Sequence, residues 1–266
     1  MDGPEMTMAT EREGGTSLAR QIDAFLSPPP DSWPETTWAL VFGVAAPALV
    51  LTLDVQWWIP GIGPIGLLPY RPYSSVTAWS AMAALTAWYP LRGRPGAWQV
   101  LPAGAFAVAA LVAGGIGLVL LPFSLAFSIV GIGLLGLVPV FTAHVFAREA
   151  RRAWRGAATA LSAPARIGLV AGAVAVFTGA TLGAGAVTAA LERQATIEVL
   201  EGSGGRASRA EATLEVLRWI PGIPLDGLRN AAAAEVETVP GGRLRAEQAY
   251  ERITGISPED MEELAD

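Results

Sequence analysis

Charged and polar positions divide this chain into blocks before any motif is sought. Eighteen uncharged residues separate Glu35 from Asp54, twenty separate Arg71 from Arg92, and fifty-three separate Arg94 from Arg148. A further twenty-five lie between Arg166 and Glu192. Apolar runs of about 20 residues are what a helix needs to cross hydrocarbon. The longest run is too long for one helix and suits two, with Leu121-Pro122-Phe123 as the natural hairpin point. The pattern predicts five spans, at about 38–54, 73–91, 100–121, 123–147 and 167–191. The expected fold is therefore an all-α integral membrane protein, a five-span helical bundle with a small helical soluble segment at the carboxyl end.

The stretch between the first two spans, "WWIPGIGPIGLLPY" at 57–70, carries no charge yet is broken by Pro and Gly. Lipid-exposed backbone must be hydrogen-bonded internally, so such a segment belongs at an interface or in a protein-lined recess. Trp57, Trp58 and Tyr70 suit the headgroup level, and Pro60-Gly61 makes a tight turn. The stretch reads as a membrane-hugging cap. Its phrase "WIPGIGP" returns as "WIPGIP" at 219–224, which suggests that Trp219 and Ile220 dock near the cap.

Charge adds a direction. Residues 1–35 are net −5, residues 36–191 net +6 and residues 192–266 net −7. Within the apolar block, Arg92, Arg94, Arg148, Arg151, Arg152, Arg155 and Arg166 fall on one side, and Arg71 alone falls on the other. Arginine-rich short loops stay cytoplasmic. The expected topology has the amino terminus and the "REARRAWR" loop inside and the acidic carboxyl segment outside. Arg148, Arg151, Arg152 and Arg155 serve first as a topology signal and second as a surface for anionic lipid or an acidic partner. Nucleic acid is not an expected partner of a net acidic chain whose basic run lies at a membrane.

The ends are read by their caps and faces. Residues 1–35 form an acidic, partly disordered tail in which Ser17 can cap a short amphipathic helix presenting Leu18, Ile22, Phe25 and Leu26. No basic region precedes an apolar core there, so a cleaved signal peptide is not expected. In 192–266, Ser208 with Glu211 makes a capping box ahead of Leu214 and Leu217, Asp226 starts a second helix, and Ala246, Ala249, Tyr250 and Ile253 line a third. Ser257-Pro258 opens a fourth, and "EGSGG" at 201–205 reads as a flexible joint. So few large apolar side chains make a marginal core, so this segment should lean on the membrane block or a partner.

Helices in lipid associate through close packing of small residues. Gly168, Gly172, Ala175, Gly179, Gly183 and Ala186 share one face of the fifth span, and Ala107, Ala110, Gly114 and Gly117 share one face of the third. These seams predict either a tight bundle or contact with another subunit.

Chemistry is sparse. The chain has no cysteine, and all its basic side chains apart from one histidine are arginine, which excludes thiolate, disulfide and lysine-based mechanisms and fits a G+C-rich bacterial genome. Two glycine fingerprints, "GIGPIG" at 61–66 and "GIGLLG" at 131–136, lack the strand-to-helix setting that dinucleotide binding requires. His144, near the inner end of the fourth span, reads first as an interfacial histidine and second as a ligand for haem or chlorin. Asp54 reads as a helix-end carboxylate, with a salt bridge to Arg71 as the alternative. No GxSxG, no HExxH and no cluster of intramembrane carboxylates is present, so neither a catalytic group nor a metal site is expected.

These features suggest a non-catalytic subunit or scaffold of a larger complex in a bacterial inner membrane, with the bilayer and other membrane subunits as partners. A small-molecule or lipid transporter of flippase type is the second reading. A membrane enzyme or pigment-binding subunit is the third.

Overall fold

The computed structural model describes residues 33–54, 58–59, 63–64, 73–127, 133–202, 204–218, 225–232 and 239–255. The amino-terminal tail, the fourth carboxyl-terminal helix, Trp57, Pro60, Gly61, Tyr70, Arg71, Trp219 and Ile220 lie outside those residues.

The first helix, α1, runs as Trp33–Leu40, a π-helical turn Val41–Ala45 and Ala46–Asp54. Its irregularity follows from one residue. In the π register the Ala46 N–H donates to the Val41 carbonyl, so the next carbonyl, Phe42, faces Pro47, which has no N–H. Thr142 of a neighbouring helix supplies the missing donor, its Oγ1 lying 2.8 Å from the Phe42 oxygen. Within the expected cap, Trp58–Ile59 (β1) pairs antiparallel with Gly63–Pro64 (β2), Trp58 opposite Pro64 and Ile59 opposite Gly63.

Helix α2 spans Tyr73–Trp88 and continues into a 3-10 turn, Tyr89–Leu91. A second 3-10 turn, Ala97–Gln99, leads into α3, Val100–Phe127. Helix α4 is Gly133–Ala157 and α5 is Ala163–Leu200. Two expectations change here. The hairpin does not fall at Leu121-Pro122-Phe123, because α3 continues through Pro122 to Phe127 and α4 begins only at Gly133; a proline is tolerated in an apolar helix when its neighbours re-satisfy the freed groups. The "REARRAWR" stretch is not a loop either, since it forms the last turns of α4.

Among the described residues, three helical stretches are long and apolar enough to cross a membrane: Pro34–Leu51, Ala97–Pro122 and Ala163–Leu200. Helix α2 has sixteen residues, and the described apolar part of α4 stops at Arg148. Within the described residues these two do not join that group, so three candidate membrane-spanning helices are shown, within an all-helical bundle.

Helix α3 packs along α4, and α5 lies against α3 and α2. Helix α1 lies against α4 and touches α2. Their shared core holds Ala81, Leu85, Trp88, Phe106, Val145 and Phe146. Trp88 meets Phe106 edge to face with ring centres 5.3 Å apart, the geometry aromatic quadrupoles favour. Small residues set the approach distances. A Cβ added at Gly117 would lie 3.1 Å from the Val140 nitrogen, and one at Gly104 would lie 2.9 Å from the Val174 nitrogen. Gly114 and Gly117 of the expected α3 seam thus face α4, while Gly104, outside that seam, faces α5.

The small face of α5 is not. Where α5 flanks the bundle its buried positions are Ala173, Thr181 and Gly185, on the opposite side of the helix from Gly168, Gly172, Ala175, Gly179, Gly183 and Ala186, all of which are exposed. A Cβ added at Gly168, Gly172, Gly179 or Gly183 would meet nothing within 4 Å.

Beyond the bundle, α5 runs on without a break into a second packed cluster. Helix α6, Gly205–Arg218, folds back on it through a turn in which Gly204 takes the left-handed φ of 63°. Helices α7, Asp226–Ala232, and α8, Gly242–Thr254, complete the cluster around Val199, Leu214, Leu228, Ala246, Ala249 and Ile253. The expected capping box at Ser208 does not form, because α6 already starts at Gly205. Glu211 pairs instead with Arg252 of α8, at 2.6 and 3.1 Å. The Arg245 Nε donates to the Leu200 carbonyl at 2.8 Å, which satisfies one of the acceptors left open at the end of α5.

Replacing Gly104 with leucine forces side-chain atoms against the backbone of α5. Thermal unfolding in detergent should show Gly104→Leu destabilised by about 2 kcal/mol or more, whereas Gly172→Leu on the outer face should leave the isolated chain within about 0.5 kcal/mol of wild type.

Candidate functional site

Charged and polar groups converge where the amino end of α1, the Tyr89–Gln99 connection and the carboxyl end of α4 meet. Arg148 is paired with Glu35, 113 residues away, and both side chains are buried. The next residue, Glu149, is 1% exposed and accepts from Arg152 Nη1 at 3.0 and 3.2 Å. Each buried charge therefore has a partner of opposite sign, without which its desolvation would be prohibitive.

Arg92 stacks over Tyr89 at 3.9 Å, and Arg166, at the start of α5, stacks over Trp154 of α4 at 4.3 Å. Both geometries keep a guanidinium against an aromatic face while leaving its edges available for hydrogen bonding. The connection is fastened to α4 by the Gly96 N–H, which donates to the Gly156 carbonyl at 3.2 Å. Gln99, 1% exposed, donates to the Arg94 carbonyl at 2.6 Å. Its Oε1 is buried without a hydrogen bond. Gly156 sits so close to this amide that a Cβ there would collide with it.

The four arginines expected as one basic surface are thus divided. Arg148 is turned inward onto Glu35 and Arg152 onto Glu149, while Arg151 is half-buried and Arg155 exposed. His144 is half-buried one turn before Arg148. Among the described residues no three His, Cys, Asp or Glu side chains come together as a metal site would require. Trp58 lies in β1; Asp54 ends α1, and its partner in the alternative reading, Arg71, is outside the described residues.

Glu35, Glu149, Gln99 and Trp154 carry this layer, and none stood out as a site residue in the sequence. Glu35 was legible only as the last acid before an apolar run, and Glu149 only as an acid among arginines. What the arrangement does chemically is compensate charge: it locks three helix ends together and leaves Arg155 outward. Comparison of the chain with protein-family models, with curated proteins and with solved structures finds no match.

Removing one member of a buried pair strands the other charge. Arg148→Ala should cost about 3 kcal/mol or more, Arg155→Ala within about 0.5 kcal/mol, and Glu35→Gln combined with Arg148→Met should recover much of the loss, all read by thermal unfolding in detergent.

Burial pushes the Glu149 carboxyl above its ordinary range, against the pull of Arg152 and Arg92. A raised folded-state pKa means that protonation favours the fold. That contribution is complete below the unfolded value, about 4.3, and is lost as pH rises through the raised one. Glu149→Gln, which stays neutral, should flatten the fall in stability from acid to neutral pH; an unchanged profile would place the titration elsewhere.

Proposed function

We propose that the chain is a non-catalytic polytopic membrane protein, an accessory or assembly subunit that scaffolds a larger membrane complex. The observation that carries this reading is the outer face of α5. Gly168, Gly172, Gly179 and Gly183 have no neighbour within reach of a Cβ, whereas the comparable face of α3 is filled by α4. In hydrocarbon a bare stripe of small residues forgoes the packing contacts that drive helix association. A helix from another subunit laid along this stripe recovers them.

The same reading assigns the rest of the chain. Seven arginines against Arg71 put the inner end of α4 and the amino terminus in the cytoplasm of a bacterial inner membrane, with α2 and α4 completing five passages. Helices α6 to α8 then stand on the far side as an acidic helical module. On this reading the basic end of α4, with Arg151 and Arg155, faces anionic headgroups or an acidic partner. No pigment, haem or metal is required.

Purification from native membranes in mild detergent, with mass measurement and a visible spectrum, tests the proposal. Wild type should migrate with stoichiometric large partners and be colourless. Gly172→Leu with Gly179→Leu should release a folded single chain. A wild-type monomer of unchanged size in both preparations would overturn the subunit role and favour transport, and a chromophore lost on His144→Ala would favour a pigment-binding subunit.

A further inference from the structure

The outward side of the charged end of the bundle carries arginine and tryptophan together. Arg166, near the start of α5, lies over the Trp154 ring of α4 at 4.3 Å, and its buried Nε has no hydrogen-bond partner among the described residues. The bond from the Gly96 N–H to the Gly156 carbonyl brings the Tyr89–Gln99 connection against the same end of α4. Arg94 and Trp98 come with it, and both are exposed, as is Arg155 next to Gly156 in the chain. The two acids described at this end, Glu35 and Glu149, are buried and already paired with Arg148 and Arg152. Apart from Glu149, the sequence holds no acid between Asp54 and Glu192. The outward side of the described residues here is therefore positive.

The apolar exterior begins close by. Gly104 of α3 meets Ala173 of α5, and both helices start at this end. Trp98 and Leu101 therefore lie within about a turn of the depth of Arg166 and Ile167. Leu101, Ile167 and Leu169 are exposed. Guanidinium, indole and aliphatic surface thus follow one another as headgroup, interface and hydrocarbon do in a bilayer. An acidic protein surface would match the arginines and leave the tryptophans and leucines without a counterpart, whereas a lipid of net negative charge matches all three. We propose that this corner binds an anionic phospholipid: its phosphodiester accepts hydrogen bonds from Arg166, Arg94 and Arg155 add positive charge, and its acyl chains lie along Leu101, Ile167 and Leu169. Stacking on Trp154 fixes the plane of the Arg166 guanidinium, which favours two-pronged contact with a phosphate. The site rests on the reading that sets this end of the bundle at a membrane face, and it does not involve the outer face of α5.

The test uses the full chain, delipidated in neutral detergent, titrated with phosphatidylglycerol or phosphatidylcholine and read by native mass spectrometry. Wild type should bind phosphatidylglycerol about tenfold more tightly than phosphatidylcholine, or better, which is the order of one charge-assisted hydrogen bond. Arg166→Gln should lose most of that preference, and Arg166→Lys should recover only part of it, because an ammonium keeps the charge without the stacked fork. Arg94→Gln, at an exposed position that stacks on nothing, should lose a smaller part. Arg193→Gln, exposed near the far end of α5, should bind as wild type does. Thermal unfolding without lipid shows which variants are folded. Equal affinity of wild type for the two lipids, or a preference unchanged in folded Arg166→Gln and Arg94→Gln proteins, overturns the proposal. Binding of an oligoglutamate peptide in place of phosphatidylglycerol overturns it in favour of an acidic protein partner. The assay contains no bilayer, so its failure counts against the site alone, while the membrane placement of this end is read separately by cysteine accessibility.

Discussion

The rest of the structure depends on the continuity of one helix. Helix α5 runs unbroken for thirty-eight residues, about 57 Å at 1.5 Å per residue, against a hydrocarbon thickness of about 30 Å. Its first part seats Ala173 and Phe177 in contact with the bundle core, and its last turns seat Ala195 and Val199 in the second cluster. A helix that belongs to two cores fixes one against the other without a linker. The chain from Gly204 on folds back, as α6, onto the helix it has just left. The small second cluster, rich in alanine, obtains part of its core from α5, which is how a segment too poor in large apolar side chains for independent folding becomes ordered.

Two further devices hold the bundle. Close backbone approach at Gly104 and Gly117 lets α3 sit against α4 and α5, where bulkier residues would separate them. At one end, paired charges close the structure: Glu35 reaches across to Arg148, and Glu149 to Arg152. These charges are net costly to bury and are retained because each satisfies the other. Exposed Leu111, Leu118, Val119, Ile167, Val176 and Val187 cover the outside of α3 and α5, an apolar exterior suited to hydrocarbon and not to water.

The sequence makes the helical class and the location of the apolar blocks plain, because charge-free runs report directly on length and solvent. The small face of α3 at Ala107, Ala110, Gly114 and Gly117 is legible too, since spacing alone puts those residues on one side of a helix. Which partner a small face meets is a different matter. The seam from Gly168 to Ala186 has the same spacing, yet the bundle uses the other side of α5. Periodicity specifies a face and not its neighbour. The reversal after α3 is misplaced from sequence because Pro122 resembles a breaker, while in an apolar helix it is carried through to Phe127. The pairing of Glu35 with Arg148 and the bond from Thr142 to the Phe42 carbonyl join residues about a hundred positions apart; such contacts exist only once the helices are packed.

The most direct measurement exploits the absence of cysteine in this chain. Single substitutions Arg155→Cys, just before α5, and Arg209→Cys, just after it, can be probed with a membrane-impermeant maleimide on intact cells whose outer layer has been removed. The account requires position 209 to react from outside and position 155 to react only after the membrane is opened. Equal reactivity of the two on intact cells would place both ends of α5 in one compartment and contradict the passage of that helix through the bilayer.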